Sequence, residues 1–225
     1  MVSESSPIRL ISFLLAVVAG ICDTTTFLSG GNIFSAHVTG NFIVFAAQVL
    51  SKGWSAEHWL KLVTFPVFVC AVMLGGWLAG KWPGRYSLLL WEGLLLCVCG
   101  SLGMLLPSSM YGVVMLATAS MGLQNTFGRL YARETFGPTT MMTGNVVQAA
   151  LDLSIVLGRK EGAIEAGESL RKLLFNIGGF LTGCMAGALL SGWIGLGAIL
   201  VAGGAVLFCY WTGGGGKVST ASGSV

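Results

Sequence analysis

The sequence predicts an all-α integral membrane protein, and three observations carry that prediction. Apolar residues make up 54% of the 225 and charged residues 9%, against about 25% charged in soluble domains. The apolar residues fall in runs of about 20, the length that crosses a bilayer core as a helix. Glycine is abundant, with 34 residues scattered through those runs, as suits close helix packing in lipid. A water-soluble enzyme has too few charges here to cover its surface. The net charge of +3 comes without a basic, aromatic-interleaved cluster, so nucleic acid is no expected partner.

The long runs are 10–29, 60–80, 86–106, 110–130, 173–192 and 193–212, six long transmembrane helices in one membrane domain spanning 1–225. The first contains Asp23 and lacks a small-residue cleavage pattern, so it reads as a membrane helix and not a cleaved signal. Segments 33–50 and 139–157 are shorter and less apolar, with an internal Gly40 and Gly144. They are either full spans that line the interior or re-entrant half-helices. Segment 159–172 is the one long polar loop and a candidate surface helix. The Gly/Ser-rich tail 213–225 reads as disordered.

The chain repeats itself. Gly20-Ile21-Cys22-Asp23-Thr24 matches Gly122-Leu123-Gln124-Asn125-Thr126 at an offset of 102. Thr39-Gly40-Asn41 matches Thr143-Gly144-Asn145 at 104, and Gly75-Gly76-Trp77-Leu78-Ala79-Gly80 matches Gly178-Gly179-Phe180-Leu181-Thr182-Gly183 at 103. Three matches in one order at nearly one offset predict two pseudo-symmetric repeats, 10–106 and 110–212. If the weak segments cross, the halves are parallel; if they are re-entrant, the halves are inverted, as in many transporters. With six spans, Arg9, Lys81, Arg85, Arg129, Arg133, Arg159, Lys160, Arg171, Lys172 and Lys217 share one side, and Lys52 and Lys61 oppose them. With eight, Lys81, Arg85, Arg129 and Arg133 oppose the rest. The positive-inside rule favours six spans with cytoplasmic termini.

Asp23 is the sharpest single residue. An ionised carboxylate at this depth costs several kcal/mol and generally faces a cavity or a partner, so it is either a protonatable or cation-binding group or a paired structural one. Arg129, one turn after Asn125, is a conceivable partner. His37, Asn41 and Gln48, and likewise Asn145, Gln148 and Asp152, fall at helical spacing and predict two polar stripes that meet at the repeat interface. The structural alternative is that the Asn and Thr side chains cross-link helices while glycine permits close approach. Gly76/Gly80 and Gly179/Gly183/Gly187 predict tight packing. Glu92 lies near a run's start, where it can reach the interface. His58 sits with Trp54, Glu57 and Trp59 in an expected interfacial belt. His37 reads as a hydrogen-bonding histidine.

The six cysteines all lie in apolar runs and read as packing thiols. No zinc signature, phosphate cradle, nucleophile–base pair or paired catalytic carboxylates occur, so no metal, no cofactor and no catalytic residue is expected.

The residues Gly20-x-x-Asp23, Phe34-x-x-His37-x-Thr39-Gly40-Asn41, Gly122-x-Gln124-Asn125 and Thr143-Gly144-Asn145 resemble the YoaK family of bacterial multi-pass membrane proteins, catalogued as a domain of unknown function. The resemblance covers nearly the whole chain and implies a bacterial cytoplasmic-membrane protein of about six spans. It implies no catalytic or binding residues. Relatives commonly have small apolar residues where Thr24-Thr25-Thr26 follow Asp23 here.

The leading expectation is a small-solute or ion carrier, with a site formed by Asp23, Thr39, Gly40, Asn41, Gln124, Asn125, Thr143, Gly144 and Asn145. His37, Gln48, Gln148, Asp152 and Arg129 support it. The alternatives are a non-transporting scaffold or regulator that docks through 159–172, and an intramembrane enzyme acting on lipid through Asp23 or His37. The lipid bilayer is the expected partner, and a homo-oligomer is compatible with the sequence.

Overall fold

The computed structural model describes residues 6–82, 84, 86–132 and 139–213. Arg85, Arg133, Lys217 and the tail after Gly213 lie outside them. The described chain is all-helical, in the order α1 (Ser6–Ser29), α2 (Gly40–Lys52), α3 (Ala56–Lys81), α4 (Ser87–Leu105), α5 (Met110–Leu130), α6 (Met142–Leu157), α7 (Ala163–Ile194) and α8 (Ile199–Thr212). Short 3₁₀ turns precede α5 and α8.

Among the described residues four stretches are long and apolar enough to cross a membrane: Ile8–Ser29, Ala56–Lys81, Ser87–Leu105 and Ala163–Thr212. The last is 50 residues long and folds back at Gly195, whose φ of 55° suits a residue without a Cβ. The expected break between 192 and 193 therefore falls a few residues later. Helix α5 is 21 residues long but is not among the apolar four. It carries Thr118, Ser120, Gln124 and Thr126, all buried, so its polarity faces the protein interior.

The core is shared by α1, α4, α5 and α8, through Leu15, Val18, Cys22, Leu89, Leu96, Ala117, Met121, Phe127, Ile199 and Val206 among others. Helices α3 and α7 flank it, α3 on α5 and α7 on α1; α2 packs on α3 and α6 on α7. Glycine permits these seams. A Cβ on Gly183 would fall onto the Val17 carbonyl, and one on Gly20 onto the Phe180 carbonyl; Gly179 lies against Phe13 and Gly187 against Ile21. Opposite that small-residue face, Leu181, Met185, Leu189 and Trp193 are all more than 60% exposed. A stripe of this size on a helix facing water is an aggregation site; facing lipid it needs no cover. Gly76 and Gly80 meet nothing, which corrects the packing expected of them. Their neighbour Gly75 packs instead, against Thr126.

Neighbouring residues fix the helix directions. Positions 13, 17 and 21 of α1 lie beside 179, 183 and 187 of α7, so the two run parallel. Likewise Ala71 neighbours Gly122 and Gly75 neighbours Thr126, so α3 and α5 run parallel. Gly93 lies against Leu207 and Gly100 against Leu200, so α4 and α8 are antiparallel. One end of the bundle gathers Ser29, Gly103, Met110 and Gly195, with Tyr111 near Glu57. At the other, Tyr86 lies against Gly213 and packs on Phe127.

Helices α2 and α6 have 13 and 16 residues, about 20 and 24 Å at 1.5 Å per residue. Neither spans a ~30 Å core alone. Helix α2 rises antiparallel to α3 towards the Ser29 end, with Phe42 on Phe65 and Phe45 on Trp59. Helix α6 ends at the opposite face, where α7 begins.

Several further expectations are corrected. Most of 159–172 is no loop: from Ala163 it is the first turns of α7, a 32-residue helix of about 48 Å, longer than the membrane core. Gly40 and Gly144 stand at the starts of α2 and α6 and not inside them. His58 is buried in the first turn of α3, as is Lys61 one turn on. Glu92 is fully buried and does not reach an interface.

The α1–α7 seam yields a prediction. Gly183→Leu should lower the melting temperature of the detergent-solubilised protein or prevent its accumulation, because overpacking against backbone costs about 1–3 kcal/mol or more. Gly76→Leu and Gly80→Leu should leave it unchanged. Thermal-shift measurement on the three variants checks this.

Candidate re-entry site at Asp23

After Ser29 the chain makes a tight turn through Gly31 and Asn32, at φ of 78° and 58°, conformations that glycine and asparagine adopt most readily. It then descends beside α1 until Ala36 and His37 are level with Asp23. Asp23 Oδ1 accepts the Ala36 N–H at 2.6 Å and the Ser35 hydroxyl at 3.3 Å. Asp23 Oδ2 is hydrogen-bonded to His37 Nδ1. A buried carboxylate thus finds three partners on a non-helical segment whose buried backbone needs them.

The pair has one hidden and one reachable end. The Asp23 side chain is 4% exposed and the His37 side chain 34%. The His37 ring meets the edge of Phe180 on α7 at 5.4 Å between centroids. Thr24 lies near Cys184 of α7. The arrangement can hold a proton between a buried carboxylate and an accessible imidazole.

Below this point Asn41 closes the loop. Its Oδ1 accepts the Phe34 N–H at 2.8 Å; its Nδ2 donates to the Phe34 carbonyl at 2.8 Å and to Thr64 Oγ1 of α3 at 3.0 Å. Every polar atom of a fully buried amide is used, so Asn41 is a clamp. Thr39 is exposed, and Gly40 lies against the Phe34 ring.

The second half has a related but neutral arrangement. Asn125 Oδ1 accepts from Thr140 Oγ1 at 2.5 Å, and its Nδ2 donates to the Met121 carbonyl at 2.9 Å. Gln124 Nε2 donates to Thr139 Oγ1 at 2.9 Å and across to the Leu15 carbonyl of α1 at 2.8 Å. Thr139 and Thr140 lie 104 residues after Ser35 and Ala36. Where the first half has Asp23 and His37, this half has Asn125 and Met141.

Other candidates lie elsewhere. The first polar stripe does not form, because α2 begins after His37, which turns to Asp23 while Asn41 turns to Phe34. Gln48 is half-buried at the far end of α2. In α6, Asn145 and Asp152 are buried, Gln148 donates to Asp152 at 2.8 Å, and Thr143 and Gly144 are exposed. The two Thr-Gly-Asn segments do not share one pocket, since α2 packs on α3 and α6 on α7. Arg129 is exposed and donates to Met141 Sδ at 3.1 Å, so it is not the partner of Asp23 or Asn125. Among the described residues no cluster of His, Cys, Asp and Glu is arranged to hold a metal ion.

Sequence reasoning missed Ser35, Thr139, Thr140 and Thr64. The hydroxyls at 35 and 139, one repeat offset apart, were the available signal.

The family model described as a protein of unknown function, DUF1275, matches residues 11–212. The chain belongs to this family. It is 28% identical over 150 residues to the UPF0700 transmembrane protein YoaK of Bacillus subtilis (strain 168), a match covering 63% of this chain and 65% of that protein, just under two thirds. No solved structure matches. Family membership and the apolar helices make this a membrane protein.

The clamp yields a prediction. Asn41→Ala should destabilise the purified protein by about 1–3 kcal/mol, the cost of leaving buried polar groups unpaired. Thr143→Ala and Gly144→Ala, at exposed positions, should be neutral. Denaturant or thermal unfolding in detergent reads the difference.

Proposed function

We propose that the protein is a carrier for a small solute or ion, built from two inverted repeats, 10–106 and 110–212, with Asp23 and His37 handling a proton or cation. The observation that carries this reading is the Asp23–His37 pair at a re-entry point, with a buried carboxylate at one end and a one-third exposed ring at the other. Intramembrane ionisable groups at such points generally mark ion or substrate paths.

The packing supports the repeat reading. Helix α7 on α1 corresponds to α3 on α5, α6 on α7 to α2 on α3, and α8 on α1 to α4 on α5, while α4 and α8 pair with each other. Helices α1 and α5 then run in opposite directions, with six spans and two re-entrant half-helices, the plan of many secondary transporters. The fold-level likeness is an analogy of architecture; the chemistry rests on the site. In this reading the starts of α2 and α6, at Gly40 and Met142, are half-helix N-termini inside the membrane, one per half. The half-sites differ: Asp23, Ser35 and His37 make a titratable one, and Gln124, Asn125, Thr139 and Thr140 a neutral one. A coupling proton or cation belongs to the first.

The basic residues support an orientation. Arg9, Lys81, Arg129, Arg159, Lys160, Arg171 and Lys172 belong to the face where α1 begins, so the positive-inside rule puts that face and the N-terminus in the cytoplasm of a bacterial inner membrane.

The test is complementation of a deletion strain that shows a growth defect. Asp23→Asn and His37→Gln should give no growth above the empty vector while accumulating in the membrane at wild-type levels. A variant with Glu161, Glu165, Glu168, Arg171 and Lys172 changed to Gln should complement fully. The opposite pattern would refute the carrier reading and favour a scaffold that docks through the start of α7.

A further inference from the structure

Glu92 lies on α4, five residues past its start at Ser87, and has no solvent-exposed surface. Among the described residues neither of its carboxyl oxygens has a hydrogen-bond partner. Leu88, Leu89 and Leu96 of the same helix are buried with it, and Leu207 of α8 fills the space beside Gly93. Cys22 of α1 and Cys209 of α8 lie within electrostatic reach, and Asp23 lies beyond Cys22. Helix α5 also packs on α4, but its basic Arg129 is exposed and held at Met141. Helix α3 approaches through the Trp82–Trp91 stack, and its Lys81 sits over Trp77. No cation among the described residues pairs with Glu92.

An isolated carboxylate in such a place is stripped of water with nothing in return, at a cost of at least several kcal/mol. The group needs a ligand that neutralises it. A hard metal ion requires several oxygen donors, and the neighbours here are thiols and hydrocarbon. A proton requires none. The seam that covers the carboxyl is a helix pair in close contact along glycines, Gly93 against Leu207 and Gly203 against Cys97. That contact involves no inter-helix backbone hydrogen bonding, so it can part without leaving unpaired backbone groups.

We propose that Glu92 is an intramembrane proton-binding site, occupied in the closed packing of α1, α4 and α8 and emptied only when α4 and α8 separate enough to admit water. On release the Glu92 O–H bond breaks, its electron pair stays on the carboxylate, and the proton passes to water. This site is separate from the Asp23–His37 pair and does not depend on the carrier reading.

Infrared spectroscopy tests it directly. The full-length protein is purified in dodecyl maltoside, a detergent without a carbonyl, and examined at neutral pH. The carbonyl stretch of a carboxylic acid free of hydrogen bonds should stand clear above the amide I band. It should shift in protein synthesised cell-free with carboxyl-carbon-13 glutamate, disappear in Glu92→Gln, and persist in Asp23→Asn. Glu92 is the one fully buried glutamate among the described residues, so the labelled wild type decides the matter even if Glu92→Gln fails to fold. Absence of an acid carbonyl at neutral pH, or a band that the glutamate label does not move, would overturn the proposal.

Discussion

The structure depends on the side-chain oxygen of Asp23, an acceptor that an asparagine would keep, meeting the backbone of the chain that turns back beside α1. Any segment that turns back inside a membrane must find partners for its backbone amides, since lipid offers none. Asp23 provides one for Ala36 and fixes Ser35 and His37 at the same stroke. Asn41 then closes the loop on Phe34 and ties it to α3 through Thr64. Once the turn is held, α2 has a fixed starting point, and its 13 residues run back towards the Ser29 end of the bundle. In the second half, Asn125 and Gln124 hold Thr140 and Thr139 without any charge. The same architectural problem is solved with an ionisable group in one half and amides in the other, and that asymmetry is what suggests chemistry beyond support.

Around these turns the packing follows membrane rules. Lipid tails are as apolar as leucine side chains, so helix association relies on close fit. The glycines of α7 let α1 approach to backbone contact, and the glycines of α4 and α8 do so for each other. Polar residues are drawn inward: α5 is the least apolar of the long helices because Thr118, Ser120, Gln124 and Thr126 all face protein. Glu92 breaks this pattern, as a polar group drawn inward without a hydrogen-bond partner among the described residues.

The helical membrane class was legible because composition and run length suffice for it. Asp23, Gln124 and Asn125 stand out in the sequence as polar residues in apolar runs, and the structure gives each of them hydrogen-bond partners. Partnerships were not: His37 lies 14 residues from Asp23, and a periodic reading carried the helix back through His37, whereas it starts at Gly40. That single shift dissolved the expected stripe. Glu92 was misread because distance from a run's end says nothing about which neighbours cover it; the cover comes from α1 and α8, far away in sequence. The glycine motif at Gly76 and Gly80 failed for a similar reason, as its face of α3 has no neighbour and Gly75 does the packing.

The central claim is that each half contains a chain that re-enters without crossing, so that the halves are inverted. Sided thiol labelling tests it most directly. Single cysteines replace Ser51, at the end of α2, and Gly162, before α7, both exposed, in a protein whose native cysteines are replaced. A membrane-impermeant maleimide is applied to intact cells and to inverted vesicles. Reaction of Cys at 51 from outside only and at 162 from the cytoplasmic side only is the predicted result. Labelling of both positions from the same side would mean that α2 and α6 cross the membrane, and the inverted account would be wrong.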